Sequence, residues 1–152
     1  MLTAKTSSTF SSAISHVFVL NSLFCSLLKA AEEGDPAAQY KLGCAFDDGE
    51  GVEKDEKQAV SWWRKAAEQG HAFAQFMLGN SFDDGRGVDN DAEQAMFWWR
   101  KAAEQGDADA QCNLAIAFES AGRCADAVLW FRKAAEQGQD IAQNRLGYAF
   151  NF

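Results

Sequence analysis

The string Lys-Ala-Ala-Glu occurs four times, at Lys29, Lys65, Lys101 and Lys133, and this recurrence constrains the fold more than any other feature. The first two intervals are 36 residues, the third is 32, and each copy runs into a glycine: Gly34, Gly70, Gly106 and Gly138. A second matching set begins at Ala38, Ala74, Ala110 and Ala142. It continues through Leu42, Leu78, Leu114 and Leu146 to Phe46, Phe82, Phe118 and Phe150. Gly43, Gly79 and Gly147 follow the leucines, with Ala115 as the single replacement. A chain that repeats at this interval builds stacked units, each burying its apolar face against its neighbours.

Within a unit the spacing is helical. Ala38, Leu42 and Phe46 stand four apart and share one face, and the small residue after each leucine admits a neighbouring helix. Ala59, Trp62, Trp63 and Ala66 form a second helical set, echoed by Ala95, Trp98, Trp99 and Ala102. Between the sets lie Asp47-Asp48-Gly49-Glu50-Gly51-Val52 and Asp83-Asp84-Gly85-Arg86-Gly87-Val88, whose glycines supply the positive φ that ends the first helix. Gly34 suits a helix C′ position, Asp35 the next N-cap and Pro36 the first turn. Asp55 with Gln58, and Asp91 with Gln94, read as capping boxes that open the second helix. Each unit is therefore expected to be a helical hairpin, and the chain all-α.

The pattern Ala-Gln-x-x-Leu-Gly-x-x-Phe-x-x-Gly-x-Gly-Val-x-x-Asp-x-x-x-Ala-x-x-Trp-x-x-Lys-Ala-Ala-x-x-Gly runs from Ala38 to Gly70 and again from Ala74 to Gly106. It resembles the Sel-one-like repeat, a relative of the tetratricopeptide repeat, over residues 30–152. The resemblance implies an α-solenoid of stacked hairpins, here three and a half units at 30–65, 66–101, 102–133 and 134–152, of the kind that serves as an adaptor or scaffold. It also puts Trp63, Trp99 and Phe131 at the large core position of the hairpin. Trp62, Trp98 and Trp130, one step round, are either inter-unit packing or partly exposed contacts. Two departures stand out. The third unit lacks four loop residues and turns through Gly122-Arg123-Cys124 instead. The fourth stops after one helix, a half unit expected to cap the third, with Phe150 and Phe152 making a greasy end.

Charge narrows the partners. Lys and Arg number 14 against 22 acids, a net charge of −8. Residues 1–29 hold Lys5 and Lys29 and no acid, so the repeats alone carry −10. That balance argues against a nucleic-acid partner, which requires cations to displace counterions from phosphates. In the first segment Ile14, Val17, Phe18, Asn21, Phe24, Cys25 and Leu28 lie at helical spacing. Phe24 and Leu27 fall 36 residues before Val60 and Trp63, which favours an N-terminal capping helix running into Ala30–Glu33. Seven serines and no acid in residues 1–28 also suit a cleaved presequence. The segment is too short and polar to span a bilayer. A cytoplasmic location is the expectation, or a secreted or organellar one if the segment is a presequence.

Chemistry-bearing clusters are sparse. Cys25, Cys44, Cys112 and Cys124 lack metal-ligand spacing and read as reduced, mostly packed thiols. One branch of the resembled family links each hairpin by a disulfide, and its pair would fall near Ala31 and Ala38, so that branch is unsupported. Asp83, Asp84, Asp89, Asp91 and Glu93 lack the spacing of a calcium loop. The histidines, His16 and His71, lie in different regions, and His71 takes the place of Asp35 and Asp107 at a helix start. No catalytic residue, metal site or cofactor is assigned.

The family rule that first helices line a concave face selects the partner-facing positions. These are Ala37, Tyr40, Cys44, Asp47 and Asp48, then Phe73, Phe76, Asn80, Asp83 and Asp84, then Asp109, Cys112, Ile116 and Glu119. They vary between units while the core does not. An aromatic floor of Tyr40, Phe73 and Phe76 beside acids suits a partner peptide or helix carrying basic and apolar residues. Acids that merely keep the chain soluble are the plainer account. A second reading is a self-associating subunit or a piece of a longer array, pairing through the open C-terminal end. A third, a hydrolase of the cysteine-rich repeat branch, lacks the cysteine pairs that would mark it.

Overall fold

In the computed structural model, residues 22–149 are described, and they are helical throughout apart from short turns, with no strand among them. The expectations placed on Ile14, His16, Val17, Phe150 and Phe152 lie outside that range. The first helix, α1, covers 22–32. It is followed by α2 (Pro36–Asp48), α3 (Glu56–Glu68), α4 (Ala72–Asp84), α5 (Ala92–Glu104), α6 (Ala108–Ser120), α7 (Cys124–Glu136) and α8 (Asp140–Ala149). From α2 to α8 each helix packs on the next in chain order, giving the hairpins α2–α3, α4–α5 and α6–α7 and the single helix α8. No helix among the described residues is long and apolar enough to cross a membrane.

The helix starts follow their caps. Asp35 accepts from the Ala37 amide, Asp107 from Ala110, and Asp55 and Asp91 each from two first-turn amides. Gly49 and Gly85 end α2 and α4 in the left-handed region, at φ 77° and 69°. Arg123 opens α7 without a side-chain cap, a consequence of the shortened turn.

The core is the repeat register made solid. Leu42, Leu78 and Leu114 are fully buried, and Trp63, Trp99 and Phe131 lie opposite them at 5% exposure or less. The small residue after each leucine is where the hairpin closes. A Cβ on Gly43 would sit 2.4 Å from Trp63 Cδ1, and one on Gly79 2.4 Å from Trp99 Cδ1, so only glycine admits the indole. The third hairpin has Ala115 in that place and the narrower Phe131 opposite. Trp98 is buried in the core, whereas Trp62 and Trp130 pack against core residues and stay half-exposed, and each of the three has a lysine three residues on as its lid. Lys65, Lys101 and Lys133 Nζ lie 3.8, 5.3 and 4.2 Å from the respective ring centres. Such contacts contribute about 0.5–1 kcal/mol at exposed sites.

The first helix behaves as the second helix of a preceding unit. Phe24, Leu27, Leu28 and Ala31 pack with Ala38, Leu42, Phe46 and Trp62. Ala31 and Ala38 are thus in one cluster, where the disulfide-linked branch would need its cysteines. The expectation of mostly packed thiols requires correction. All four cysteines are free, but only Cys112 is buried, Cys44 is half-buried, and Cys25 and Cys124 are exposed. Cys124 is exposed because the short third turn leaves the start of α7 uncovered.

Candidate functional site

The outward positions of α2, α4 and α6 do not form one uniform surface. Near the helix starts, Tyr40 stacks on His71 with ring centres 4.8 Å apart and reaches Phe73 at 6.1 Å. Phe73 is 57% exposed, so this cluster presents a large apolar ring to solvent. Burial and the adjacent Cys44 thiol push the Tyr40 hydroxyl up to about 12. His71 accepts the Ala74 amide at Nδ1 (3.2 Å), which requires neutral imidazole, and burial holds its pKa below the ordinary value against the pull of Asp35. His71 is therefore the cap of α4, at the helix start its repeat position predicts, though half-buried where a surface residue is expected. Phe76 is half-buried, with one side packed against the core.

In mid-helix, Asn80 Oδ1 accepts from Trp99 Nε1 (2.9 Å) and from Asn113 Nδ2 (3.2 Å), joining α4, α5 and α6. Cys44 holds the same position in the first hairpin, and there Trp63 Nε1 is buried without a partner. Cys112, expected to face outward, is instead fully buried among the helices. It stands one turn before Ile116 on α6, and burial with Asp109 nearby pushes its thiol upward.

The acids at the far ends of the helices have different partners. Asp47 pairs with Arg86 of the following unit, whose Nε also lies 3.5 Å from Glu56. Glu119 pairs with Arg145 of α8 at 2.9 Å, and at the opposite end of α6, in its first turn, Asp109 accepts from Gln139 at 3.1 Å. No cation within ion-pair distance sits on the Asp83 carboxylate among the described residues, and its pKa is raised by burial and by Asp84. Asp83 and Ile116 lie on the wall of a cavity of about 600 Å³ with Met96 and Trp99. Among the described residues no three potential metal ligands converge.

Sequence reasoning missed a polar spine. Gln39, Gln75, Gln111 and Gln143 each donate to the carbonyl eight residues earlier, on Ala31, Ala67, Ala103 and Ala135, at 3.0–3.2 Å. Gln69, Gln105 and Gln137 in turn donate to the first three of these glutamines at 2.8–2.9 Å. The signal was present as Ala-Gln and Glu-Gln-Gly in register, but a polar residue on a helix carries no apolar periodicity.

Comparisons with known proteins agree with this architecture. A family model described as the Sel1 repeat matches residues 36–71, 72–107, 108–139 and 140–152. Its frame starts six residues later in every unit than one drawn from the Lys-Ala-Ala-Glu string, and it coincides with the hairpins. A protective antigen of uropathogenic Escherichia coli with an SLR fold superposes with a TM-score of 0.79 at 40% identity. That match covers 83% of this chain and 28% of the antigen, so the chain spans under a third of that protein's length. A Sel1 repeat protein from Oxalobacter formigenes gives a TM-score of 0.74 at 35% identity, over 81% of this chain and 96% of that one. The cysteine-rich protein B of Helicobacter pylori gives 0.57 at 30% identity, over 59% and 68%. None of the curated proteins matches the sequence. With four repeats matched in register across residues 36–152, the chain belongs to the Sel1 repeat family.

Proposed function

We propose that the chain is a non-catalytic adaptor that binds another protein through the outward face of α2, α4 and α6. Sel1 repeat proteins generally mediate protein–protein interaction and are typically scaffolds. The observation that carries the reading here is the exposed Phe73 beside the Tyr40–His71 stack, a large apolar group on the face whose residues change from unit to unit. Aromatic anchors of this kind dominate binding energy at protein interfaces. The partner is a peptide or helix with apolar and basic residues, seated across Tyr40, Cys44, Phe73, Phe76, Asn80, Asp109, Ile116 and the acids at the helix ends.

Affinity capture with the tagged chain tests this, comparing wild type with a Tyr40→Ser/Phe73→Ser variant whose helicity is checked by circular dichroism. The reading expects a binder retained by wild type and lost with the folded variant. Equal capture by both would sink it.

The second reading, self-association, has its own observation. Gly147 on α8 has nothing within 4 Å of a Cβ position, whereas Gly43 and Gly79 each hold an indole there, and Ile141 on the same helix is 50% exposed. Sedimentation across a wide concentration range decides it, since a mass fixed at the monomer removes self-association.

A further inference from the structure

The cavity beside Asp83 owes its existence to the missing residues of the third turn. In the preceding unit the same place is filled by the chain itself. Asp47, Val60 and Trp63 stand there in the positions of Asp83, Met96 and Trp99, each 36 residues earlier. The loop Gly85–Asn90 lies across them. Arg86 pairs with Asp47 and Glu56, and Gly87 lies so close that a Cβ on it would be 2.3 Å from the Glu56 carbonyl oxygen and 3.0 Å from Val60 Cγ2. Val88 follows into the core. Covered in this way, Val60 is 4% exposed.

The turn after α6 contains only Ala121, Gly122 and Arg123. It has no residues to lay over α5, and Arg123 turns away onto Asp126 (2.7 Å) and the Phe118 ring (4.5 Å). Met96 stays half-exposed, and the groove between α5 and α6 is left open, mainly apolar on its walls apart from Asn113 and Ser120, with Asp83 at its rim. Ala92 replaces Glu56, so one acid remains where the filled groove has two.

We propose that this groove is a docking site for an arginine-bearing loop or extended segment of a partner protein, which lays its guanidinium on Asp83 and a glycine and an aliphatic residue over Met96 and Trp99, as Arg86-Gly87-Val88 do one unit earlier. The protein's own occupied groove supplies the template for the ligand, and the loss of four turn residues supplies the vacancy. This deepens the adaptor reading and rests on it, because it names the chemistry of one contact within that surface.

The probe is a synthetic peptide with the sequence of residues 85–90, Gly-Arg-Gly-Val-Asp-Asn, added to the full-length chain at millimolar concentration. The first loop offers a natural control, since residues 49–54 read Gly-Glu-Gly-Val-Glu-Lys. Nuclear magnetic resonance of the Trp99 indole N–H and the Met96 and Ile116 methyl groups reports binding. The arginine peptide is expected to shift all three and the glutamate peptide none. Asp83→Asn should weaken the arginine peptide by roughly two- to fivefold, the range for an exposed ion pair. Inserting Arg-Gly-Val-Asp between Ala121 and Gly122 should close the groove and abolish the shifts. No shift with the arginine peptide, equal shifts with both peptides, or an unchanged affinity in Asp83→Asn would each overturn the proposal, whether or not the insertion folds. Concentration-dependent shifts at the same groups without peptide would make a second copy the occupant and overturn it too. A chain that captures protein through Tyr40 and Phe73 yet ignores the peptide loses the groove and keeps the adaptor role.

Discussion

At the scale of single residues, the hairpin is specified by pairs rather than by isolated identities. Gly79→Ala drives a Cβ into Trp99 and should destabilise by about 1–3 kcal/mol, the usual range for overpacking a rigid core. The third hairpin accepts alanine at this place because Phe131 is narrower than tryptophan. Gly79→Ala combined with Trp99→Phe should therefore cost less than the two single changes added together, which a double-mutant cycle by urea denaturation measures. His71 offers a second test, with a sign fixed by its cap. The folded state favours neutral imidazole, so its pKa lies below the unfolded value. Below about pH 6.5 the unfolded chain takes up the proton first, and stability falls with pH until the folded pKa is passed. His71→Asn keeps an acceptor for the Ala74 amide without titrating. The melting temperature of the variant should vary less than that of wild type between about pH 7 and about pH 5.

At the scale of helices, the glutamine spine fixes how successive units meet. Gln75 is 4% exposed and serves three elements: it lies on α4, donates to the last turn of α3 and accepts from Gln105 at the end of α5. Gln75→Ala removes two hydrogen bonds, leaving the Ala67 carbonyl with a backbone partner, the Gly70 amide, and the Gln105 side-chain amide without its acceptor, a loss of about 1–3 kcal/mol for the two bonds together. Gln143, the exposed member in α8, should cost far less when changed to alanine, and thermal denaturation of the two variants compares them. The helices themselves were legible in the sequence, because caps such as Asp55 and Asp91 and the four-residue spacing of Ala38, Leu42 and Phe46 are local signals. The spine was not, since the partners of Gln75 lie eight residues before it and thirty after it. The ends of the acidic face were hidden for the same reason. Nothing local says that Asp47 is held by Arg86 or Glu119 by Arg145, and those pairings are what set Asp83 apart from its counterparts in the neighbouring units.

At the scale of the whole molecule, a stack of hairpins has no central core shared by all its parts. Its stability is approximately a sum over units and the interfaces between neighbours. Each of α4, α5 and α6 is flanked on both sides, whereas α8 packs mainly on α7 and reaches α6 through the Arg145–Glu119 pair. Among the described side chains of α8, Ala142 alone is fully buried. It can open without disturbing α4, because no contact between those two helices must break. Amide hydrogen exchange should therefore be fastest in α8 and slowest in α4, α5 and α6. Leu78→Ala empties a fully buried site in α4 and should lower central protection by about 2–5 kcal/mol. Exchange in α8 should stay as it is, because its opening passes through a local state that leaves the Leu78 contacts intact. If the substitution speeds exchange equally in both regions, the stack unfolds as one unit and the nearest-neighbour description fails. If it leaves α4 protected, Leu78 does not hold the two hairpin helices together as its burial implies.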